Sequence, residues 1–379
     1  MIVDLIWFLA GAFCLGLVLW DVFQTIVVPR PTPGRFRITR YLIAPTWRAW
    51  RALGARARSD LARDQFYGLY APAAVIMLLV AWLLLLTVGY GLVLFAVRAD
   101  LVPAPADVFS SIYLGGNSIL TLGSAGIAAV GPLGRLFTLL AAATGLGVVA
   151  LSVTFLFSLY GSYQRREALV VMLQARAKAP PSAVTLLETY GRLGLVGELP
   201  TLFFEWERWS AEVLDSHVAY PILCYFRSSH DNASWISAIG AVLDAACLVL
   251  TTIREVPRGP AKLLTRVGGH LVEDVANYFR LHGDGVGVER AAFDDAYGRL
   301  AAAGYDLEDP DVAWRSFERV RATYAGRLEA LAAFWATPAP LWLGERVSLT
   351  SPVHEPARGA RTETAPDAIP ERTPERALD

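Results

Sequence analysis

Three long apolar runs constrain this chain more than any other feature. Residues 3–28, 71–97 and 132–161 each exceed the ~20 helical residues that the hydrocarbon core of a bilayer demands. The first run has Asp4 before it and no basic residue, and it is too long for a signal-peptide core, so it reads as a retained span. The second is almost unbroken aliphatic sequence. The third is interrupted near its start by Arg135, whose long stem lets the charge snorkel to an interface. Charged residues make up 18% of the chain and the mean hydropathy is +0.40, against ~25% charged in ordinary soluble domains. The apolar excess lies mostly before residue 165, so one part of the chain is built for lipid and the rest for water.

Basic residues predict the orientation. Between Arg30 and Asp64 nine arginines face two aspartates, a net +7, whereas the segment from Arg98 to Gly131 carries one arginine against two aspartates, a net −1. The positive-inside rule places the first loop in the cytoplasm and the second outside. The amino terminus is then outside, residues 163–379 are cytoplasmic, and the expected location is the plasma (inner) membrane as a multi-pass protein. With Trp47 and Trp50, the arginine-rich loop reads as an amphipathic helix lying on the anionic inner leaflet. Asp21 and Gln24 sit inside the first run, where an acid needs a partner. An arginine of the following loop is the expected one. The first run has no repeated arginines and is no voltage sensor.

The stretch between the second and third runs is the informative one. Residues 106–119 begin with Asp107 in an N-cap position and read as a helix of fourteen residues, ~21 Å at 1.5 Å each, too short to cross and return. Ser110, Ser111, Gly115, Gly116 and Asn117 make it too polar for a lipid-facing span. A short re-entrant helix followed by extended backbone is tolerated at membrane depth only where protein buries it or water lines it, which is the geometry of a pore loop.

From Asp107 to about Leu159 the chain resembles the pore domain of tetrameric potassium channels. The family's filter reads T-V-G-Y-G; the corresponding run here is Thr121-Leu122-Gly123-Ser124-Ala125, followed by Gly126. Gly134-Arg135-Leu136 looks like the opening of the family's inner helix, and Gly145 falls where that helix often has its hinge glycine. The resemblance implies a homotetramer in which Thr121, Leu122, Gly123, Ser124, Ala125 and Gly126 line the ion path, with Tyr113 and Asn117 bracing the filter from behind. It implies no cofactor beyond a permeant potassium or other monovalent cation. Rings of oxygen ligands from four chains replace the water that such an ion sheds, and aiming successive carbonyls inward forces positive φ, which Gly123 accepts freely. Three departures bear on selectivity. Ala125 replaces the second glycine, at ~1–2 kcal/mol per residue in left-handed geometry. Ser124 replaces the aromatic residue that packs the filter, and Gly126 replaces the acid at the outer mouth. The potassium preference is therefore left open. Gly145 and Gly147, like Gly89 and Gly91, also read as small residues that let helices approach closely.

Beyond Tyr163 the pattern is helical, with candidate helices at 164–178, 182–196, 200–228, 232–255, 259–282, 289–303 and 311–336 separated by proline and glycine breaks. Residues 235–253 are apolar enough for a fourth span, but Asp244 at their centre favours a buried core helix. Gly283–Gly287 follows no strand and fails as a dinucleotide fingerprint. Glu205, Glu207, Glu212, Asp215, Asp294 and Asp295 read as solvated helix faces. Cys14, Cys224 and Cys247 have no disulfide or metal spacing, and neither do the five histidines. The tail from Val347 is rich in proline and charge and reads as disordered. No catalytic constellation emerges, and neither an enzyme nor a nucleic-acid partner is expected.

The expected fold is thus an all-α membrane protein with three transmembrane helices plus a re-entrant pore helix and filter loop, followed by a cytoplasmic all-α bundle. Its parts are a first helix (1–29), a basic interfacial segment (30–69), the potassium-channel-like pore domain (70–162), a helical domain with room for a regulatory ligand (163–346) and a disordered tail (347–379). The expected function is a cation-channel subunit; the alternative is a non-conducting membrane sensor or scaffold that keeps the pore fold. The charge asymmetry generates a direct test. Cysteine tags at residues 2 and 350 should react with an impermeant maleimide from opposite sides of sealed vesicles, and labelling of both from one side would require an even number of spans.

Overall fold

The computed structural model describes residues 1–28, 38–123, 126–228, 233–283 and 287–344. It is helical, apart from one pair of two-residue strands among the described residues. Helix α1 (Ile2–Val22) continues as a π-turn over Phe23–Val27. After it come α2 (Ile38–Gly54), α3 (Asp60–Gly68) and α4 (Tyr70–Ala96), then α5 (Val108–Ile119) and α6 (Pro132–Ala177). The stretches Ile2–Val27, Asp60–Ala96 and Pro132–Ala177 are long and apolar enough to cross a membrane, matching the three expected spans.

Helix α4 is the hub, packing against α1, α2, α5 and α6. It approaches α1 where Gly11 faces Gly89, and α5 where Gly91 and Gly115 face one another's helices; a side chain at Gly11, Gly91 or Gly115 would meet opposing backbone, and one at Gly89 the Leu15 side chain. Trp82, fully buried on α4, donates its indole N–H to Asp21 Oδ2 at 2.8 Å. The same oxygen accepts from Thr39 Oγ1 at 2.9 Å. The described partners of Asp21 are thus neutral donors; of the arginines expected from sequence to pair with it, Arg30, Arg35 and Arg37 and the Arg40 side chain lie outside the described residues.

Helix α2 runs antiparallel to the α3–α4 rod. Thr39 lies beside Asp21, Thr46 Oγ1 is 3.0 Å from the Tyr70 hydroxyl, and Tyr67 donates to the Arg51 carbonyl at 3.1 Å. Its tryptophans are spent inside the protein. Trp47 is buried among Tyr67, Tyr70 and Tyr225, and Trp50 stacks on Phe66. The aromatic half of the expected leaflet-bound face is thus a protein contact, because α2 has α4 and Tyr225 to bury it against.

The remaining helices are α7 (Ala183–Arg192), α8 (Leu199–Ala219), α9 (Trp235–Thr251), α10 (Arg258–Phe279), α11 (Arg290–Ala302), α12 (Pro310–Arg321) and α13 (Ala325–Trp335). They surround α9, whose residues from Trp235 to Val249 are all buried. Asp244 there accepts from Arg321 Nε at 3.1 Å and from the Tyr324 hydroxyl at 2.7 Å, so α9 is a core helix wrapped by protein. Several expected helices come out shorter: 182–196 is Ala183–Arg192 and 232–255 is Trp235–Thr251. The 200–228 segment stops at Ala219 because Pro221 starts a 3₁₀ turn over Pro221–Tyr225. The 311–336 segment is two helices, broken before Tyr324, whose hydroxyl is turned onto Asp244.

The larger correction concerns α6, which passes Gly161 without a break and runs for 46 residues, ~69 Å at 1.5 Å per residue. Below Gly161 it is fastened by Arg166, only 1% exposed. The Arg166 guanidinium pairs with Glu167 at 2.9 Å and donates to the carbonyls of Leu223 (3.0 Å) and Phe226 (2.7 Å). It also lies 3.1 Å from His217 Nε2. A guanidinium has only donors, so Nε2 accepts and the ring is neutral with its proton on Nδ1.

Burial and the adjacent Arg166 charge hold His217 well below its ordinary value of 6.5. The unfolded chain then takes up the proton first, so stability is complete above about 6.5 and falls as the pH drops below that value. The melting temperature of the purified protein should therefore decline between pH 7.5 and 5. His217→Gln, which can still accept from Arg166 but cannot be protonated, should flatten that decline. An unchanged slope in the variant would place the titrating group elsewhere.

Candidate functional site

The segment joining α4 to α6 is closed at a neck. Leu101–Val102 pair antiparallel with Ala128–Ala129. The Asp100 carbonyl accepts from the amides of Val130 and Gly131 (2.9 and 3.0 Å), and its carboxylate accepts from Leu133 and Gly134 (2.8 and 3.1 Å). One residue therefore ties the strand pair to the first turn of α6, where amides lack intrahelical partners and favour an anion. Asp100 carries no local sequence signal, since its targets lie some 30 residues downstream.

Inside the neck, α5 begins as the sequence predicts, with the Asp107 side chain accepting from the Ser110 amide at 2.7 Å. It lasts 12 residues, ~18 Å, and packs between α4 and α6. At its end the ladder closes on itself: Leu120 N–H donates to Gly116, Thr121 N–H to Ser118 and Leu122 N–H to Asn117, at 3.0–3.1 Å. The chain then turns sharply, with φ of +54° at Thr121, +104° at Gly123 and +74° at Gly126. Ser124 and Ala125 lie outside the described residues. Thr121 is β-branched, and holding it in left-handed geometry costs ~1–3 kcal/mol. The sequence argument located strain at Ala125; the strain described here is at Thr121, the position expected to contribute a hydroxyl.

Leu120 and Leu122 are 52% and 70% exposed, and Thr121 and Gly123 are exposed with them. Of the expected braces, Asn117 is buried, its side chain donating to the Tyr113 carbonyl at 2.9 Å and its own carbonyl holding Leu122. The Tyr113 ring is 63% exposed, and Ser124 and Ala125 of the segment it is expected to brace lie outside the described residues. Gly145 lies against the carbonyl of Ile119, the last residue of α5, within an unbroken stretch of α6. Its lack of a side chain is what lets α6 abut the end of α5.

A further feature escaped the sequence argument. The face of α6 turned toward the chain carries Ala141, Gly145, Val148 and Ser152. The opposite face, ~200° round at 100° per residue, exposes Ala143, Gly147, Ala150, Thr154 and Ser158. Small and hydroxylated residues thus form one outward stripe between bulky flanks that include Leu146 and Phe157. Reading it required knowing which face was already occupied.

Compared with known proteins, the chain matches no family model, no curated protein and no solved structure.

The two glycines of α6 separate packing from hinging. A methyl group at 145 meets the Ile119 carbonyl, while at 147 it meets open space. Gly145→Ala should destabilise the protein by ~1–3 kcal/mol, the usual cost of overpacking. Gly147→Ala should be neutral or stabilising by up to ~1 kcal/mol through helix propensity. Thermal unfolding of the two variants in one detergent measures the difference; equal effects would remove the packing role.

Proposed function

We propose that this chain is the subunit of a homotetrameric channel for monovalent cations. In this reading the segment from Thr121 to Gly126 lines the ion path, the re-entrant α5 holds it, and the α7–α13 domain lies in the cytoplasm. One observation carries the reading. Between two helices fit to cross a membrane lies a helix of only 12 residues, and it ends in backbone with positive φ at Thr121, Gly123 and Gly126 that a single chain leaves exposed. Backbone of this kind needs water or another protein surface at membrane depth, and four chains around an axis supply both.

The outward stripe of α6 supports the same arrangement. A helix facing lipid on all its free sides gains from bulky aliphatics throughout, whereas a stripe of Ala143, Gly147, Ala150, Thr154 and Ser158 suits a narrow, wetted axis. The exposed Tyr113 fits as well, since a neighbouring copy would cover the ring that its own chain leaves free.

One chain supplies a quarter of a filter, so mass measurement in mild detergent should give a tetramer, and purified protein in planar bilayers should carry potassium current with appreciable sodium leakage. Ser124→Tyr combined with Ala125→Gly should shift the reversal potential under a potassium–sodium gradient toward potassium. Thr121→Ala should weaken ion binding at the inner end of the filter. A stable dimer or trimer would overturn the assembly, and a purified tetramer without current would favour the non-conducting scaffold.

A further inference from the structure

Arg165 occupies the next outward positions of the same α6 stripe, two turns below Ser158 and just past Gly161. Its neighbour Arg166 points inward and spends its donors on Glu167, Leu223, Phe226 and His217. Arg165 has no such outlet. It is exposed, and its guanidinium reaches only the Ser162 hydroxyl at 3.1 Å. No acid pairs with it among the described residues. Glu212 lines the same shallow hollow but is engaged by Arg208 at 3.0 Å. A charge that is neither paired nor buried remains free to act on whatever passes.

We propose that Arg165 forms a fourfold ring of positive charge at the cytoplasmic mouth of the ion path, opposing cation entry from inside and making the current rectify inward. The inference rests on the tetrameric channel reading and specifies how that same path is regulated. Charged rings set which ions concentrate at a pore entrance. The four copies stand round the path rather than in it, so their effect acts through water and is screened by salt. The Debye length is ~10 Å at 0.1 M and ~3 Å at 1 M, so the ring should act strongly at low ionic strength and fade at high.

The test measures current–voltage curves of the full-length protein in symmetric 0.1 M and 1 M potassium chloride. Arg165→Gln should raise outward current by roughly twofold to tenfold at 0.1 M, the range that four screened unit charges at such distances support. Arg165→Glu should raise it further, and the differences should shrink at 1 M. Arg165 is exposed and its one hydrogen bond among the described residues is to the Ser162 hydroxyl, so the variants should keep the tetramer. Identical curves for parent and Arg165→Gln at 0.1 M would overturn the ring, as would a difference that does not depend on salt. A second measurement needs no current: Arg165→Cys should be linked between copies by a bifunctional maleimide, beyond the background of Cys14, Cys224 and Cys247. No linkage would overturn the ring geometry. Linkage with no current in any variant would retain that geometry, reject the channel reading and remove the rectifying role with it.

Discussion

A peptide group taken out of water must keep a hydrogen bond inside the protein, and in a chain this apolar that demand shapes everything else. It accounts for α1, α4 and α6 as ladders that run without a gap through their apolar lengths. It also makes the end of α5 the conspicuous place, because the ladder stops there after three turns. The chain closes it with Leu120, Thr121 and Leu122 bonded back to Gly116, Ser118 and Asn117, and the next residues turn outward. At the neck, the amides opening α6 would be equally orphaned; the Asp100 carboxylate takes two of them. The positions of these two repairs, at either side of one short excursion, fix where the candidate site sits relative to the long helices.

The same demand explains the buried polar groups. Removing the partner of a buried charge typically costs ~3–5 kcal/mol, and three of the buried ionisable side chains are each met by more than one group. Asp21 is held by an indole and a threonine, Asp244 by a guanidinium and a phenol, and Arg166 by a carboxylate and two carbonyls. These sites also join segments distant in sequence. Asp21 brings α1, α2 and α4 to one point, Asp244 pins α9 to the α12–α13 turn, and Arg166 binds α6 to the 3₁₀ turn after α8.

What could be read from sequence follows the range of the interactions. The long apolar helices and the Asp107 cap were legible because hydropathy and capping act within one segment. The buried position of α9 was legible because Asp244 is incompatible with lipid. The surroundings of Trp47 and Trp50 were not, since an amphipathic pattern states that one face must be covered and not by what. Here Tyr67, Tyr70 and Tyr225 cover it. α6 joins the third apolar run and the candidate helix at 164–178 into one, because the change from apolar to polar sequence after Gly161 marks a change of surroundings and not the end of a helix. Around the candidate site, the glycines were legible as special positions. Their division of labour was not, because Gly145 is defined by the Ile119 carbonyl opposite it and Gly123 by its own φ.

The helical domain is attached to the long helices at two places. At α6 the joint is the buried Arg166, with Trp209 additionally donating to the Arg166 carbonyl at 2.9 Å. At α2 and α3 the joint consists of Trp47 and Arg51 donating to the Phe334 carbonyl, and of Arg227 bridging Asp64 to the carbonyls of Trp335 and Ala336. Only the Asp64 and Arg51 ends of this joint are wet, where exposed ion pairs are worth ~0–1 kcal/mol; its centre is the buried Trp47 packed with Tyr67, Tyr70 and Tyr225. Breaking the Arg166 joint strands a guanidinium in a dry interior. Both joints meet at the 3₁₀ turn after α8, where Leu223 and Phe226 accept from Arg166 while Tyr225 packs on Trp47 and Tyr70. In the proposed channel this one turn therefore connects the domain both to the helix carrying the outward stripe and, through Tyr70, to α4, on whose glycines α5 packs.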